Sequence, residues 1–260
     1  VPIQMMSIDD HSHSRCMLHK FLGGERDEKG LSFVEEDFFE KKHIMWGKGQ
    51  VAKGVDPKEK RVLMEEGYQP YEKLLIATGS VYGIPPIPNF RTAANVFGFR
   101  DLSDAQKMNE AIRELNAKHV FIVGSGLVGL DVAYALMERG IKVTIAEMAD
   151  RVLPLQTDAI SAKAYQDLFE KAGAQFKLGI GASDSVVDDQ NRITAVKLSN
   201  GEEIPCDFVV CAAGVRPNLA FLEGSGIQTE RGIVVDEYMC TSKPDIYAAG
   251  DVTALSGIWP

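Results

Sequence analysis

The most constraining feature of the chain is where its glycines fall around residue 124. Val120-Phe121-Ile122-Val123 is a continuous apolar run of the kind a buried parallel strand shows. It leads directly into Gly124-Ser125-Gly126-Leu127-Val128-Gly129, and helical spacing follows over residues 127–139. A second apolar strand, 143–145, runs on to Glu147, 23 residues after Gly124. In a chain with 24 glycines a lone G-x-G-x-x-G is weak evidence. Between a strand and a helix, with a carboxylate at the next strand end, it reads as a dinucleotide-binding unit. Gly124 allows the tight turn, Gly126 lets the backbone approach a pyrophosphate, and Gly129 permits close packing of helix on strand. Ser125, Leu127 and Val128 complete the loop, where free N–H groups at the helix start meet phosphate charge. A carboxylate at Glu147 accepts hydrogen bonds from the adenosine ribose and repels a 2′-phosphate, so NAD(H) is expected over NADP(H). No Gly-Lys-Ser/Thr follows the glycines, which excludes a P-loop. An S-adenosyl compound is the alternative occupant, and the segments outside this unit argue against it.

Composition narrows the partners. The 260 residues carry 28 Lys+Arg against 37 Asp+Glu, a formal net charge of −9, with the cations scattered among carboxylates. That balance argues against nucleic acid or an anionic membrane as the main partner. No apolar run approaches the roughly 18 residues of a membrane span, and the start of the chain has no signal-peptide pattern, so a cytoplasmic location is expected. Cys16, Cys206, Cys211 and Cys240 form no C-x-x-C pair and no zinc spacing. Of five histidines, three fall within 11–19 without an i, i+4 pair, and no metal site is expected. At roughly 100–200 residues per domain, the length allows one large domain or two ordinary ones.

Along the chain, 3–7 reads as a strand, helical spacing at Met17, Leu18, Phe21 and Leu22 stops at Gly23-Gly24, and 35–42 reads as a helix with Phe38 and Phe39 inward. Short strands follow at 51–55, 61–64 and 74–76, then a proline-rich connection over 81–88. Helices are predicted at 104–116 and 158–172. Residues 193–198, the Asn200-Gly201 turn and 208–212 read as a hairpin returning to a strand. Two more strands are predicted at 233–235 and 246–249.

Three further segments carry a family resemblance: Tyr71-Glu72-Lys73-Leu74-Leu75-Ile76-Ala77-Thr78-Gly79-Ser80, Val209-Val210-Cys211-Ala212-Ala213-Gly214-Val215-Arg216-Pro217-Asn218, and Thr241-Ser242-Lys243-Pro244-Asp245-Ile246-Tyr247-Ala248-Ala249-Gly250-Asp251. With the glycine motif between them, the chain resembles the FAD-dependent pyridine nucleotide-disulfide oxidoreductase superfamily. Ser14-Arg15-Cys16-Met17-Leu18-His19-Lys20 and Gly257-Ile258-Trp259-Pro260 look most like the branch of rubredoxin reductases and NADH-dependent nitrite reductase flavoproteins.

The resemblance implies an α/β fold: a Rossmann-like NAD domain, residues 98–214, inserted into a partial, glutathione-reductase-like FAD domain of residues 1–97 and 215–260. It implies NAD(H) and FAD as cofactors, with Asp251 at the FAD ribityl region and Thr78-Gly79 against the flavin nucleotide. Arg15 and Gly214 are carried over as cofactor-binding positions. Lys20 matches the lysine beside the flavin, and Asp131, where the family commonly has Glu, is its expected ion-pair partner. The superfamily's own FAD glycine motif has no counterpart before residue 124. The chain therefore reads as truncated at both ends, with a complete NAD module and an incomplete FAD site.

The implied activity is hydride transfer from NADH to flavin, and onward transfer of electrons to a protein or metal centre. Cys16 marks an alternative, because coenzyme A-disulfide reductases and related NADH oxidases or peroxidases have their single redox cysteine close to this place. Arg15 and Lys20 would favour its thiolate. A second alternative is a non-catalytic NAD-binding fragment. The oligomeric state stays open.

Overall fold

The computed structural model describes residues 2–255. Early in the chain lie β1 (Ile3–Met6), α1 (Leu18–Leu22) and α2 (Phe38–Lys41), then β2 (Ile44–Gly47), β3 (Gly54–Asp56), β4 (Arg61–Leu63), β5 (Tyr68–Pro70), β6 (Leu74–Ile76) and β7 (Ser80–Tyr82). The middle contains β8 (Val96–Phe97), α3 (Leu102–Glu114), β9 (His119–Val123), α4 (Leu127–Glu138), β10 (Lys142–Glu147), α5 (Ala159–Lys171) and β11 (Gln175–Leu178). It continues through β12 (Ala182–Val187), β13 (Ile193–Leu198), β14 (Glu203–Pro205) and β15 (Phe208–Cys211). The last strands are β16 (Val215–Pro217), β17 (Ile233–Val235), β18 (Ile246–Ala248) and β19 (Thr253–Leu255). These elements pack into two compact units: Val1–Ser12, Phe33–Val81 and Val215–Pro260 in the first, His13–Ser32 and Tyr82–Gly214 in the second.

The second unit is built on a five-stranded parallel sheet of order β11-β10-β9-β15-β8. Its strands alternate faces with a period of two, as a pleated strand must. Val120 and Ile122 of β9, Phe208 and Val210 of β15, and Val143 and Ile145 of β10 point to a core shared with α1, α3 and α4. Phe121, Val209, Cys211 and Ala146 point to the opposite face, covered by the antiparallel β12-β13-β14 sheet. A strand buried on both sides has no polar face, which is why β9 and β15 read as continuous apolar runs. Helix α4 is squeezed between the sheet and α1, and its small residues Ala133 and Ala135 are fully buried there. By packing, this unit is larger than residues 98–214, since β8 is a strand of its sheet and α1 buries Leu18 and Leu22 in its helix-side core.

The first unit gathers short parallel pairs, β1 with β2, β6 with β18 and β17 with β19, and the antiparallel meander β3-β4-β5. Its core is made by Ile76, Ile233, Val235, Ile246, Ala248 and Val252 with residues around them.

The hairpin differs from the sequence reading. The second strand after the Asn200-Gly201 turn is β14, and residues 208–211 belong to the parallel sheet between β9 and β8. Strands β11 and β12 are too polar, Gln175-Phe176-Lys177-Leu178 and Ala182-Ser183-Asp184-Ser185-Val186-Val187, to announce themselves; only their neighbours in space make them strands.

Phe121 is fully buried at the centre of the sheet. Phe121→Ala is expected to cost about 3–5 kcal/mol, read as a lower midpoint in urea unfolding of the whole chain. A change within about 0.5 kcal/mol, the usual range for surface substitutions, would show that the sheet is not the cooperative core.

Candidate functional site

The parallel register of β9 and β10 sets Val123 opposite Ala146, so the glycine loop and Glu147 leave the sheet at one edge. The Gly124 N–H donates to the Ala146 carbonyl at 2.8 Å. Gly124 holds φ +101°, and a Cβ added there would lie 2.6 Å from the Ala212 carbonyl oxygen. A Cβ on Gly129 would lie 2.0 Å from the Gly124 carbonyl oxygen. Both glycines therefore serve the protein's own packing. Gly126 is different: it is the N-cap of α4 at φ −71°, and an added Cβ meets nothing within 4 Å. The glycine that packing does not require faces open space where N–H groups of the α4 start are exposed to an incoming anion. Leu127 and Val128, 60% and 40% exposed, flank that opening. These features fit a dinucleotide pyrophosphate.

Glu147 lies at the end of β10 beside the loop. Its Oε2 accepts from the Ser125 N–H at 2.9 Å and from Ser125 Oγ at 3.1 Å, and its Oε1 accepts from the Ala149 N–H at 2.9 Å. Arg151, the next cation in sequence, is turned to Asp150 and the Pro154 carbonyl. Across the sheet, the Ala212 N–H donates to the Val123 carbonyl, and Gly214, at φ +96°, accepts from the Gly83 N–H at 3.1 Å. Gly124 to Gly129, Glu147 and the 212–214 turn thus converge at one edge of the second unit.

The other predicted residues of this unit sit on α1, on the 3-10 turn Arg15–Met17 before it, and on α4. Here the structure corrects the expected ion pair. Lys20 Nζ bonds both carboxylate oxygens of Glu25 at 2.9 Å and lies 5.0 Å over the Tyr134 ring. The Glu25 hydrogen bond holds the Lys20 amine above its usual range. Asp131 faces His19 instead, Nδ1 to Oδ2 at 3.8 Å, a contact that is ionic when the imidazole is protonated. Two local facts account for the exchange: aspartate is one methylene shorter than the glutamate of the family pattern, and the Gly23-Gly24 turn folds Glu25 back onto Lys20, whose carbonyl accepts the Glu25 N–H. Arg15 pairs with Asp101, Nε to Oδ1 at 2.8 Å. Cys16 is exposed and free, and both cations expected beside it are matched by carboxylates.

In the first unit, β6 and β18 are parallel with Ile76 opposite Ala248, so residues 77–79 and 249–251 leave the same edge. Gly79 and Gly250 hold φ +65° and +81°. Ser80 Oγ donates to Asp251 Oδ2 at 3.2 Å, and the Gly79 carbonyl accepts from the Asn218 N–H. Thr78, Gly79 and Asp251 are thereby brought together, an arrangement that suits a hydroxylated chain such as a ribityl group. Ser80 and His19 stand in the family segments without a role of their own, and Glu25 and Tyr134 outside them, because each acts through a partner remote in the chain or around a turn.

Two predictions follow from this geometry. Gly126→Ala has room for its methyl and is expected to keep the thermal midpoint within a few degrees while weakening NADH binding at least about tenfold. Gly129→Ala, which forces a clash with the Gly124 carbonyl, is expected to lower the midpoint itself. Equal effects of the two on stability would contradict the division of roles. For Asp131, burial pushes the carboxyl above its ordinary value of 3.8, against the lowering charges of His19 and Lys20. A raised folded-state pKa means the native state binds the proton better, so stability falls as pH rises from 3.8 through the folded value. Asp131→Asn should then raise the thermal midpoint at about pH 7 and leave it unchanged near about pH 3; a lower midpoint at neutral pH would contradict this.

Residues 2–259 match the protein family described as pyridine nucleotide-disulphide oxidoreductase. The chain is 34% identical over 248 residues to a nitrite reductase [NAD(P)H] of Bacillus subtilis, covering 95% of this chain and 30% of that protein. It is 31% identical over 258 residues to a rubredoxin-NAD(+) reductase of Alcanivorax borkumensis, covering 98% of this chain and 66% of the relative. Among solved structures, the ferredoxin reductase for the CYP199A2 system from Rhodopseudomonas palustris superposes with a TM-score of 0.90 at 27% identity, over 99% of this chain and 63% of that one. The chain thus spans from under a third to just under two thirds of the length of these relatives. Among the described residues, no helix is long and apolar enough to cross a membrane. With its parallel sheet, its glycine cradle and a family match over almost its whole length, the chain belongs to the pyridine nucleotide-disulphide oxidoreductase family of FAD- and NAD(H)-dependent flavoprotein oxidoreductases.

Proposed function

We propose that this chain is the NADH-handling part of a flavoprotein oxidoreductase that takes electrons from NADH and passes them to a redox protein or metal centre. The observation that carries the reading is the cradle at Gly124–Gly129, with open space only at Gly126 and the Glu147 carboxylate at the same edge. In this reading residues 98–214 hold NADH, with the pyrophosphate against the α4 start and the adenosine ribose against Glu147. Residues 1–97 and 215–260 contribute to the flavin side, with Asp251 held by Ser80 and with Thr78 and Gly79 in the adjoining loop. FAD, when bound, supplies the exchange between two-electron hydride chemistry and electron transfer that no side chain provides. The chain's own contribution is to bind, orient and set charge. Lys20 brings a cation whose proton is secured by Glu25, and Asp131 a partly buried carboxylate answered by His19.

The names of two relatives, a rubredoxin reductase and a ferredoxin reductase, support a small electron-carrier protein as the acceptor. Four free thiols and a net charge of −9 support a reducing, cytoplasmic setting and disfavour nucleic acid. Cys16 sustains a second reading, thiol-dependent turnover of a disulfide or peroxide, because it is an exposed free thiol. In the longer enzyme, Cys16→Ser separates the two: selective loss of disulfide or peroxide turnover, with dye reduction kept, assigns the thiol route.

The primary test is a titration of the chain with NADH and NADPH, followed by NADH-driven reduction of an artificial acceptor with and without added FAD. Binding of NADH at least about tenfold tighter than NADPH is expected from the Glu147 carboxylate, together with dye reduction that appears only when FAD is present. Absence of NADH binding, or dye reduction without flavin, would overturn the reading.

A further inference from the structure

Ser125 stands inside the glycine loop, yet no part of it is available to a ligand. It is fully buried, 0% exposed. Its carbonyl accepts the Leu153 N–H at 3.0 Å, and its N–H and hydroxyl both go to Glu147 Oε2. The far oxygen of the same carboxylate is held by the Ala149 N–H. Three donors of the chain therefore clamp Glu147 from two sides before any nucleotide arrives. A carboxylate offers roughly four acceptor positions, so the clamp leaves room for about one ribose hydroxyl. Leu153, which ties Ser125 from the other side, is itself held in the left-handed region at φ +48° while buried. Its carbonyl receives the N–H groups of Gln156 and Thr157, so the strap over Ser125 is anchored at both ends.

We infer that Ser125 is a positioning residue for nucleotide selectivity: its hydroxyl fixes the Glu147 carboxylate where it accepts from the ribose of NADH and repels a 2′-phosphate. This rests on the NADH reading above. Glutamate has three rotatable bonds, and a carboxylate held in advance does not have to be ordered when the ribose binds. Without the hydroxyl, Oε2 is left with a single N–H, and the side chain, only half-buried at the strand end, gains freedom to swing toward water. NADH then loses a preorganised acceptor while NADPH loses an opposed negative charge, so the two affinities move in opposite senses. A merely structural role for Ser125 would weaken both nucleotides alike.

The test is calorimetric or fluorescence titration of the chain with NADH and with NADPH, for the parent sequence, Ser125→Ala, Ser125→Gly and Glu147→Gln. Thermal unfolding accompanies each variant, and Ser125→Gly, which removes the Cβ along with the hydroxyl, gives a second loss of the same hydrogen bond should the alanine variant not fold. The preference for NADH over NADPH is expected to fall about three- to tenfold in either Ser125 variant, the scale of one net intramolecular hydrogen bond. It should fall further in Glu147→Gln. A preference unchanged from the parent in a folded Ser125 variant, whether both affinities hold or both drop together, would overturn the positioning role and leave the NADH reading standing. Failure of the parent chain to bind NADH at all would overturn both.

Discussion

The edge that carries the glycine loop depends on how near two glycines of that loop come to one another. Residue 129, in the first turn of α4, comes so near the carbonyl of residue 124 that no side chain can stand between them. That contact lets the helix start immediately where strand β9 ends, so that its unpaired N–H groups sit at the sheet edge beside the end of β10. The turn in turn depends on Gly124, whose backbone is left-handed and pressed against the Ala212 carbonyl just past the end of the neighbouring strand β15. Helix start, strand order and carboxylate placement are consequences of one steric allowance.

Packing supports this edge from below. The central strands turn alternate residues into two different cores, one roofed by helices and the other by a small antiparallel sheet, so β9 and β15 cannot slip by one residue without exchanging both faces. A loop carried on such strands inherits their rigidity. Ser125 shows how far that extends: the backbone and hydroxyl of a single residue bind the glycine loop to β10 and to the Leu153 strap. The polar loops of the first unit follow the same rule on a smaller scale, since the parallel pairing of β6 with β18 aligns residues 77–79 with 249–251.

Charges near α1 follow local geometry more than family pattern. The Gly23-Gly24 turn returns Glu25 to Lys20, and the short Asp131 is left to His19. Arg15 is likewise spent on Asp101. The polar character of the region is thus retained with its pairings exchanged, which a list of matching residues does not convey.

The strand-glycine-helix unit, the carboxylate at residue 147 and the order of the family segments were legible in the chain alone. The first two are short-range patterns, in which an apolar run, a spacing of glycines and a strand end impose their chemistry within about 25 residues of one another, and each family segment is itself a local run of about ten residues. The polar strands β11 and β12, the placement of residues 208–211 in the parallel sheet, the packing of α1 against α4 and the Lys20–Glu25 pair were decided only by the tertiary structure. In each of these the deciding neighbour is distant in sequence or is brought back by a turn. Hydrogen bonds across a sheet and competition between carboxylates for one ammonium are settled by distance in space. Sequence could therefore set Glu147 at the strand end beside the glycine loop, and only the folded chain shows that Ser125 holds its carboxylate there.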